Sequence, residues 1–151
     1  MDKVEVTIDS DGNPVPVQYF TRYFYWLRAC YVLALDEYKF ELGEEDGDVA
    51  VKEKTAQELA SSISRRASSM SQNEIYQFAN KRLPPEQELL LQDIMRRNPF
   101  EVVFLGIGIA LTAALIVSGG KFELSLTELK IQIPPLGEGI ASLRKAFGKK
   151  K

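Results

Sequence analysis

The feature that most constrains this chain is an uncharged and almost wholly apolar segment over residues 102–120. As one continuous helix, its 19 residues would extend about 28 Å at ~1.5 Å per residue, close to the ~30 Å hydrocarbon core of a bilayer. Interior glycines such as Gly106 weaken a helix in water but are ordinary in membrane helices. The segment therefore predicts a single transmembrane helix, assigned to residues 98–120, between a domain at residues 1–97 and a tail at residues 121–151.

Small residues recur at every fourth position of this segment, at Gly106, Ala110 and Ala114. On a membrane helix, such spacing lets two backbones approach closely and favours self-association through that face. Two alternatives stay open. The same spacing arises by chance in segments rich in Ala and Gly, and residues 102–120 could instead form the buried central helix of a soluble bundle.

The first part of the chain predicts a β-hairpin followed by helices. Apolar and polar residues alternate over residues 4–8, as in a strand with one buried face. Turn-forming residues fill positions 9–14, and Val15 and Val17 then alternate with prolines as in a short edge strand. This pattern predicts the two arms of a small hairpin.

Helical spacing follows the hairpin. Apolar residues recur in steps of three and four over residues 18–40 and again over residues 49–67, which predicts two amphipathic helices. A third helix is expected up to Lys81, because Ser71 and Glu74 have the spacing of a capping box.

Residues 83–97 predict a fourth helix. Two prolines stand at its first turn, Glu86 and Glu88 lie near its start, and Arg96 and Arg97 lie at its end. Each of these residue types stabilises a helix at the position that it occupies here.

Two short strands and a final helix are expected after the apolar segment, which ends at the pair Gly119-Gly120. Alternation over residues 122–126 and 129–133 predicts the strands. The last residues predict a short basic amphipathic helix, whose apolar face contains Ile140, Leu143 and Phe147.

Charge is unevenly distributed along the chain. Residues 1–101 contain 12 basic and 18 acidic side chains, whereas residues 102–151 contain 7 basic and 3 acidic ones. The basic tail predicts contact with anionic lipid, and simple solubilising charge is the alternative. Nucleic acid is an unlikely partner, because the basic cluster is short and contains one aromatic residue. The residues expected at the lipid surface are Arg144, Lys145, Lys149, Lys150 and Lys151.

Several kinds of chemistry are excluded by composition. The chain has no histidine, and its single cysteine, Cys30, lies in an apolar run, where a buried structural thiol is expected. The acidic stretch Asp9–Asn13 starts like a calcium loop, but Pro14 and Phe20 replace the required glycine and glutamate. A second acidic stretch, residues 43–48, is expected to be a flexible loop. No catalytic, cofactor-binding or metal-binding residue is therefore predicted, and the chain is expected not to be an enzyme.

The predicted fold class is α+β: a small N-terminal domain with a hairpin and helices, one transmembrane helix in the C-terminal half, a short β segment and a basic amphipathic tail. In general layout, the run from NPFEVVF through SGGKFEL and IPPLGEGI to LRKAF resembles small bacterial membrane-anchored accessory proteins. This resemblance indicates no particular family and assigns no catalytic residue.

These features lead to three functional hypotheses. The first is a single-pass membrane-anchored, non-enzymatic interaction or regulatory protein, whose N-terminal domain binds an unknown protein partner. The second is a membrane-disrupting, pore-forming effector of a bacterial toxin or antiphage system, and the third is a soluble adaptor with residues 102–120 as its core. Since Arg96 and Arg97 flank the segment on one side, and Lys121 on the other, we expect a cytoplasmic N-terminus with the tail outside. The alternative is that the basic tail stays inside and the segment turns back at Gly119-Gly120.

Overall fold

The computed structural model describes residues 2–8, 15–41, 49–95, 100–123 and 129–148, and it has the mixed α+β class that the sequence predicts. The five helices are α1 (Val17–Glu41), α2 (Val49–Ala67), α3 (Gln72–Ala79), α4 (Gly108–Val117) and α5 (Leu136–Ala146). The five strands are β1 (Asp2–Ile8), β2 (Leu90–Met95), β3 (Phe100–Gly106), β4 (Lys121–Glu123) and β5 (Leu129–Ile133). A short 3-10 turn, Pro85–Gln87, precedes β2.

The strands form one sheet in the order β2-β3-β1-β5-β4. Its central strand, β1, pairs antiparallel with β3 and parallel with β5, so that Val6 lies beside both Val102 and Ile131. All three side chains are buried. The predicted alternation in β1 is thus confirmed: its apolar residues face the helices, and Lys3 and Glu5 lie on the other face of the sheet.

Helix α4 lies in the middle of the core. It contacts the helices α1, α2 and α5 and the strands β1, β3 and β5. Leu111 and Leu115 are fully buried there, which contributes about 1.5–3 kcal/mol for each side chain. Helix α1 also contacts the sheet directly: the rings of Phe24 in α1 and Phe104 in β3 pack edge-on, with their centroids 5.9 Å apart.

The apolar segment is not one helix, and this prediction was wrong. Its first part forms β3, where β-branched and aromatic residues favour a strand, and its second part forms α4, which is rich in Ala and Leu. Gly106 ends the strand, and Ile107 separates the two elements. In the described part of the chain, no helix is both long and apolar enough to cross a membrane. A ten-residue helix extends only about 15 Å.

Strands from all three predicted segments, 1–97, 98–120 and 121–151, pair in this single sheet. The helix end at Gly119 and Gly120 lies where the sequence predicts it. The N–H of Gly119 donates to the carbonyl of Ile116, and that of Gly120 to the carbonyl of Leu115, both at 2.9 Å. Gly119 has a φ of 97°, which only glycine adopts readily, so it reverses the chain toward β4.

Two further predictions were wrong. Val17 begins α1 instead of a second hairpin arm, and β1 pairs with the distant strands β3 and β5. The predicted fourth helix over residues 83–97 is a 3-10 turn followed by β2. In both places, pairing with a distant strand outweighs a modest local preference. The predicted turn at 9–14 and the acidic loop at 43–48 lie outside the described residues.

The remaining helices are confirmed. Helices α1 and α2 occupy the predicted ranges, and α3 begins with the expected capping box: Ser71 Oγ accepts from the N–H of Glu74, whose carboxylate accepts from the N–H of Ser71. Helix α5 is also formed, and its apolar residues Ile140 and Leu143 are buried in the core, as is Phe147 directly after its end.

Candidate functional site

Strand β2 forms one outer edge of the sheet and carries three large apolar side chains that remain exposed. Leu90, Leu91 and Ile94 keep 43%, 49% and 43% of their surface accessible to solvent. In the described part of the chain, β2 pairs only with β3, so the other side of its backbone is unpaired by any strand. An exposed apolar edge strand offers backbone donors and acceptors to another chain.

The exposed residues lie on both faces of the sheet. Leu91 is opposite Phe104 and Ile94 is opposite Val102, on the face that the helices cover. Leu90 is opposite Leu105, on the other face. A strand that is apolar on both faces has the composition of an interior strand, not of an edge.

The opposite edge of the sheet is different. In the part of the chain that the structure describes, strand β4 has three residues, Lys121, Phe122 and Glu123, two of which are charged. Short, charged edge strands discourage pairing with other chains, because they offer few hydrogen bonds and bury charge. The two edges of this sheet are therefore unequal, and β2 is the edge suited to further pairing.

A local irregularity modifies the β2 edge. The register with β3 shifts between Leu91 and Asp93, which leaves Gln92 as the additional residue of a bulge. At this point Asp93 Oδ1 accepts a hydrogen bond of 2.8 Å from the N–H of Ile94. The carboxylate thus covers one backbone donor of β2 that a neighbouring strand would otherwise bind.

Arg28 of α1 fixes the start of this edge. Its guanidinium donates to both carboxylate oxygens of Glu88, at 3.2 Å from Nε and 2.9 Å from Nη2. The same side chain donates to the carbonyl oxygens of Ala79 and Lys81, each at 2.8 Å. This ion pair lowers the pKa of Glu88 below its ordinary value, and a hydrogen bond from the N–H of Leu89 acts in the same direction.

Tyr31 makes a second link between α1 and the segment before β2. Its hydroxyl donates to the carbonyl of Gln87 at 2.5 Å and accepts from the N–H of Ile107 at 2.9 Å. Gly106 leaves room for this hydroxyl, since a Cβ at that position would lie 3.0 Å from it. Tyr31 and Arg28, one helical turn apart, thus hold the segment that leads into β2.

The reactive side chains of the core are sequestered. Cys30 is fully buried, and burial raises its pKa, so the thiol stays protonated at neutral pH. Burial likewise raises the pKa of Tyr23, whose hydroxyl lies 2.9 Å from Ser118 Oγ. Among the described residues, no group of three or more cysteine or carboxylate side chains is placed to hold a metal ion.

The small residues chosen from the sequence do not share one helix face. Ala110 and Ala114 are fully buried in α4, where they allow close packing inside the chain, and Gly106 lies at the end of β3. This corrects the expectation of a helical face running through all three residues. The predicted transmembrane self-association would need that face.

The predicted lipid-surface residues are only partly described. Arg144 and Lys145 lie at the end of α5, and Lys149, Lys150 and Lys151 lie outside the described residues. The apolar face of α5 is occupied, since it packs into the core of the protein. A helix that lies on lipid would need that face free.

The β2 edge was missed by sequence reasoning, although one signal was present. Residues 89–94 contain a short apolar run with prolines before and after it, a length and setting that also fit a strand. Comparison adds no further assignment, because the chain matches no protein-family profile, no curated protein and no solved structure.

Proposed function

We propose that this chain is a non-enzymatic interaction module that binds an extended strand along the outer edge of β2. The observation that carries the proposal is the exposure of Leu90, Leu91 and Ile94 on both faces of an edge strand. Among the sequence-based hypotheses, this one develops the adaptor, because β3 and α4 of the apolar segment supply much of the core.

Strand addition suits the chemistry of this edge. Backbone hydrogen bonds to an incoming strand supply affinity, and alternate side chains supply specificity. The incoming strand would bury apolar surface on both faces of the sheet, at about 25 cal/mol for each Å² removed from water. The edge is also rigidly held, because Arg28 and Tyr31 fix the segment that precedes it. A preformed edge loses little conformational entropy when a strand is added.

The proposal can be tested with a strand of known sequence. A fluorescein-labelled peptide with the sequence of residues 88–95, followed by two lysines for solubility, would be titrated with the full-length protein and followed by fluorescence anisotropy. We expect saturable binding. A matched peptide, N-methylated at alternate residues so that it loses the donors of one edge, should bind at least about tenfold more weakly.

Protein variants locate the binding site. Leu91→Lys combined with Ile94→Lys should abolish peptide binding, whereas Val17→Lys, a substitution of another exposed apolar residue, should not affect it. Circular dichroism would show that both variants are folded. Absence of binding to the wild-type protein at concentrations where it is monomeric, or equal binding of the methylated and unmethylated peptides, would refute the proposal.

A further inference from the structure

We infer that the strand bound by β2 is the β2 of a second copy of this chain, paired antiparallel about a two-fold axis. The two five-stranded sheets would then form one continuous sheet. This inference rests on the proposed function and adds the identity of the partner.

The bulge in β2 makes the strand complementary to itself. With the axis between Gln92 and Asp93, Leu91 pairs with the partner's Ile94, and Leu90 pairs with the partner's Met95. In an antiparallel pair, two opposed residues must lie on the same face of the sheet. The register with β3 places Leu91 and Ile94 on the same face, opposite Phe104 and Val102.

The second pair satisfies the same condition. Backbone pairing places Leu90 opposite Leu105 and position 95 opposite Glu101, two register positions of the same parity along β3. Without the bulge, positions 91 and 94 would lie on opposite faces, since side chains alternate along a regular strand. The irregularity at Gln92 thus allows Leu91 and Ile94 to meet their symmetry mates on one face of a two-fold interface.

The polar residues at the axis are also compatible. Gln92 would lie opposite the partner's Asp93, so that an amide donor meets a carboxylate acceptor, and the same pair recurs on the other side of the axis. The N–H of Ile94, which now donates to Asp93 Oδ1, would turn to the partner's backbone and release that carboxylate. Asp93, the charged residue of β2, is thus not directly opposed by a residue of like charge.

A closed dimer is favoured over an open chain of copies. Pairing β2 with the partner's β4 would be heterologous and would continue without end, but the described residues of β4 number three, and two of them are charged. Pairing β2 with the partner's β2 uses the same surface twice and closes after two copies.

Sedimentation velocity on the full-length protein, from about 1 µM to about 0.5 mM, measures the association directly. We expect a concentration-dependent dimer. Leu91→Lys with Ile94→Lys should weaken it at least about 100-fold, because both apolar pairings of residues 91 and 94 are lost and like charges are opposed across the axis. Val17→Lys should leave the dimer unchanged.

Cysteine cross-linking tests the register. In a Cys30→Ala background, a chain with Leu91→Cys mixed with a chain with Ile94→Cys should form a disulfide-linked heterodimer under mild oxidation. Opposed residues in an antiparallel pair lie about 4.5–5.5 Å apart, within the range of a disulfide. Either variant alone should cross-link far less, because position 91 and the partner's position 91 are offset by three residues, about 10 Å.

The outcomes separate the two proposals. A monomer at all concentrations that still binds the peptide would overturn the dimer but leave the strand-binding function intact. A monomer that binds no peptide would overturn both. A dimer that is insensitive to the two lysines, or that cross-links equally in all mixtures, would place the interface elsewhere and would also overturn the inference.

Discussion

Substitution of Arg28 by alanine should detach the start of β2 from helix α1. The guanidinium binds Glu88 through two hydrogen bonds and also donates to the carbonyl groups of Ala79 and Lys81. One side chain therefore joins α1, the end of α3 and the residue two positions before β2. In the alanine variant, the carboxylate keeps only its hydrogen bond from the N–H of Leu89, and both carbonyls lose the guanidinium, which water would have to replace.

The size of the effect follows from the burial of the pair. Hydrogen bonds to charged groups contribute about 1.5–3 kcal/mol each when buried, whereas an exposed ion pair contributes about 0.2–1 kcal/mol. Arg28 and Glu88 keep 22% and 30% of their side-chain surface exposed, so water screens part of their attraction. We therefore expect Arg28→Ala to cost about 2–4 kcal/mol of unfolding free energy. Arg28→Lys should cost about half as much, because it keeps the charge but loses the planar fork.

Urea unfolding followed by circular dichroism measures both variants at a protein concentration where the wild type is monomeric. A double-mutant cycle with Glu88→Gln isolates the ion pair, and we expect a coupling of about 1 kcal/mol. If Arg28→Lys is as stable as the wild type, or if the coupling is indistinguishable from zero, the geometry of the fork contributes nothing, and the reasoning is refuted.

The same pair makes stability depend on pH. Because Arg28 lowers the pKa of Glu88 in the folded state, the stabilisation is fully present above the ordinary pKa of a glutamate. It is lost as the pH falls through the lower folded-state pKa. The Arg28→Ala variant should therefore lose less stability than the wild type over this acidic range, and parallel curves would contradict the assignment.

Three further predictions concern the core and a helix end. Gly106→Ala should cost about 1–3 kcal/mol in urea unfolding, because the new methyl would lie 3.0 Å from the hydroxyl of Tyr31, and Tyr31→Phe should relieve part of that cost. Thr112→Val should raise the midpoint of thermal unfolding, since Oγ1 is buried with no hydrogen-bond partner among the described residues. Ser71→Ala should lower the unfolding free energy by about 1 kcal/mol, because α3 loses its capping box, and Ser71→Asp should restore most of it.

Elements whose signal is local could be predicted from the sequence. Helices α1 and α2 show apolar spacing over many turns, and the start of α3 follows from Ser71 and Glu74, which interact over three residues. Strand β1 has an alternation that no helix would use. In each case, the residues that determine the element lie within the element itself, and distant contacts only reinforce them.

The apolar segment shows where such reasoning fails. A central strand and a central helix both lack polar residues, because both are surrounded by protein, so their composition and periodicity do not distinguish them. Here the two adjoin across Ile107, and together they reach the length of a membrane span. The change from Val and Phe to Ala and Leu was the available signal. It is weak, since β propensity depends strongly on context.

The wrong helix prediction for residues 83–97 is linked to the wrong helix prediction for the apolar segment. Residues 90–95 fit either a helix or a strand, and the choice depends on whether a partner strand exists. The partner is β3, which was hidden in the apolar segment, so β2 had nothing to pair with as long as that segment was treated as a helix. Whether a strand lies at the edge of a sheet depends on the order of all the strands, and neighbouring strands in that order can be far apart in the sequence. A docking surface on β2 therefore requires the tertiary structure before it can be recognised, even though all its side chains are adjacent in the sequence.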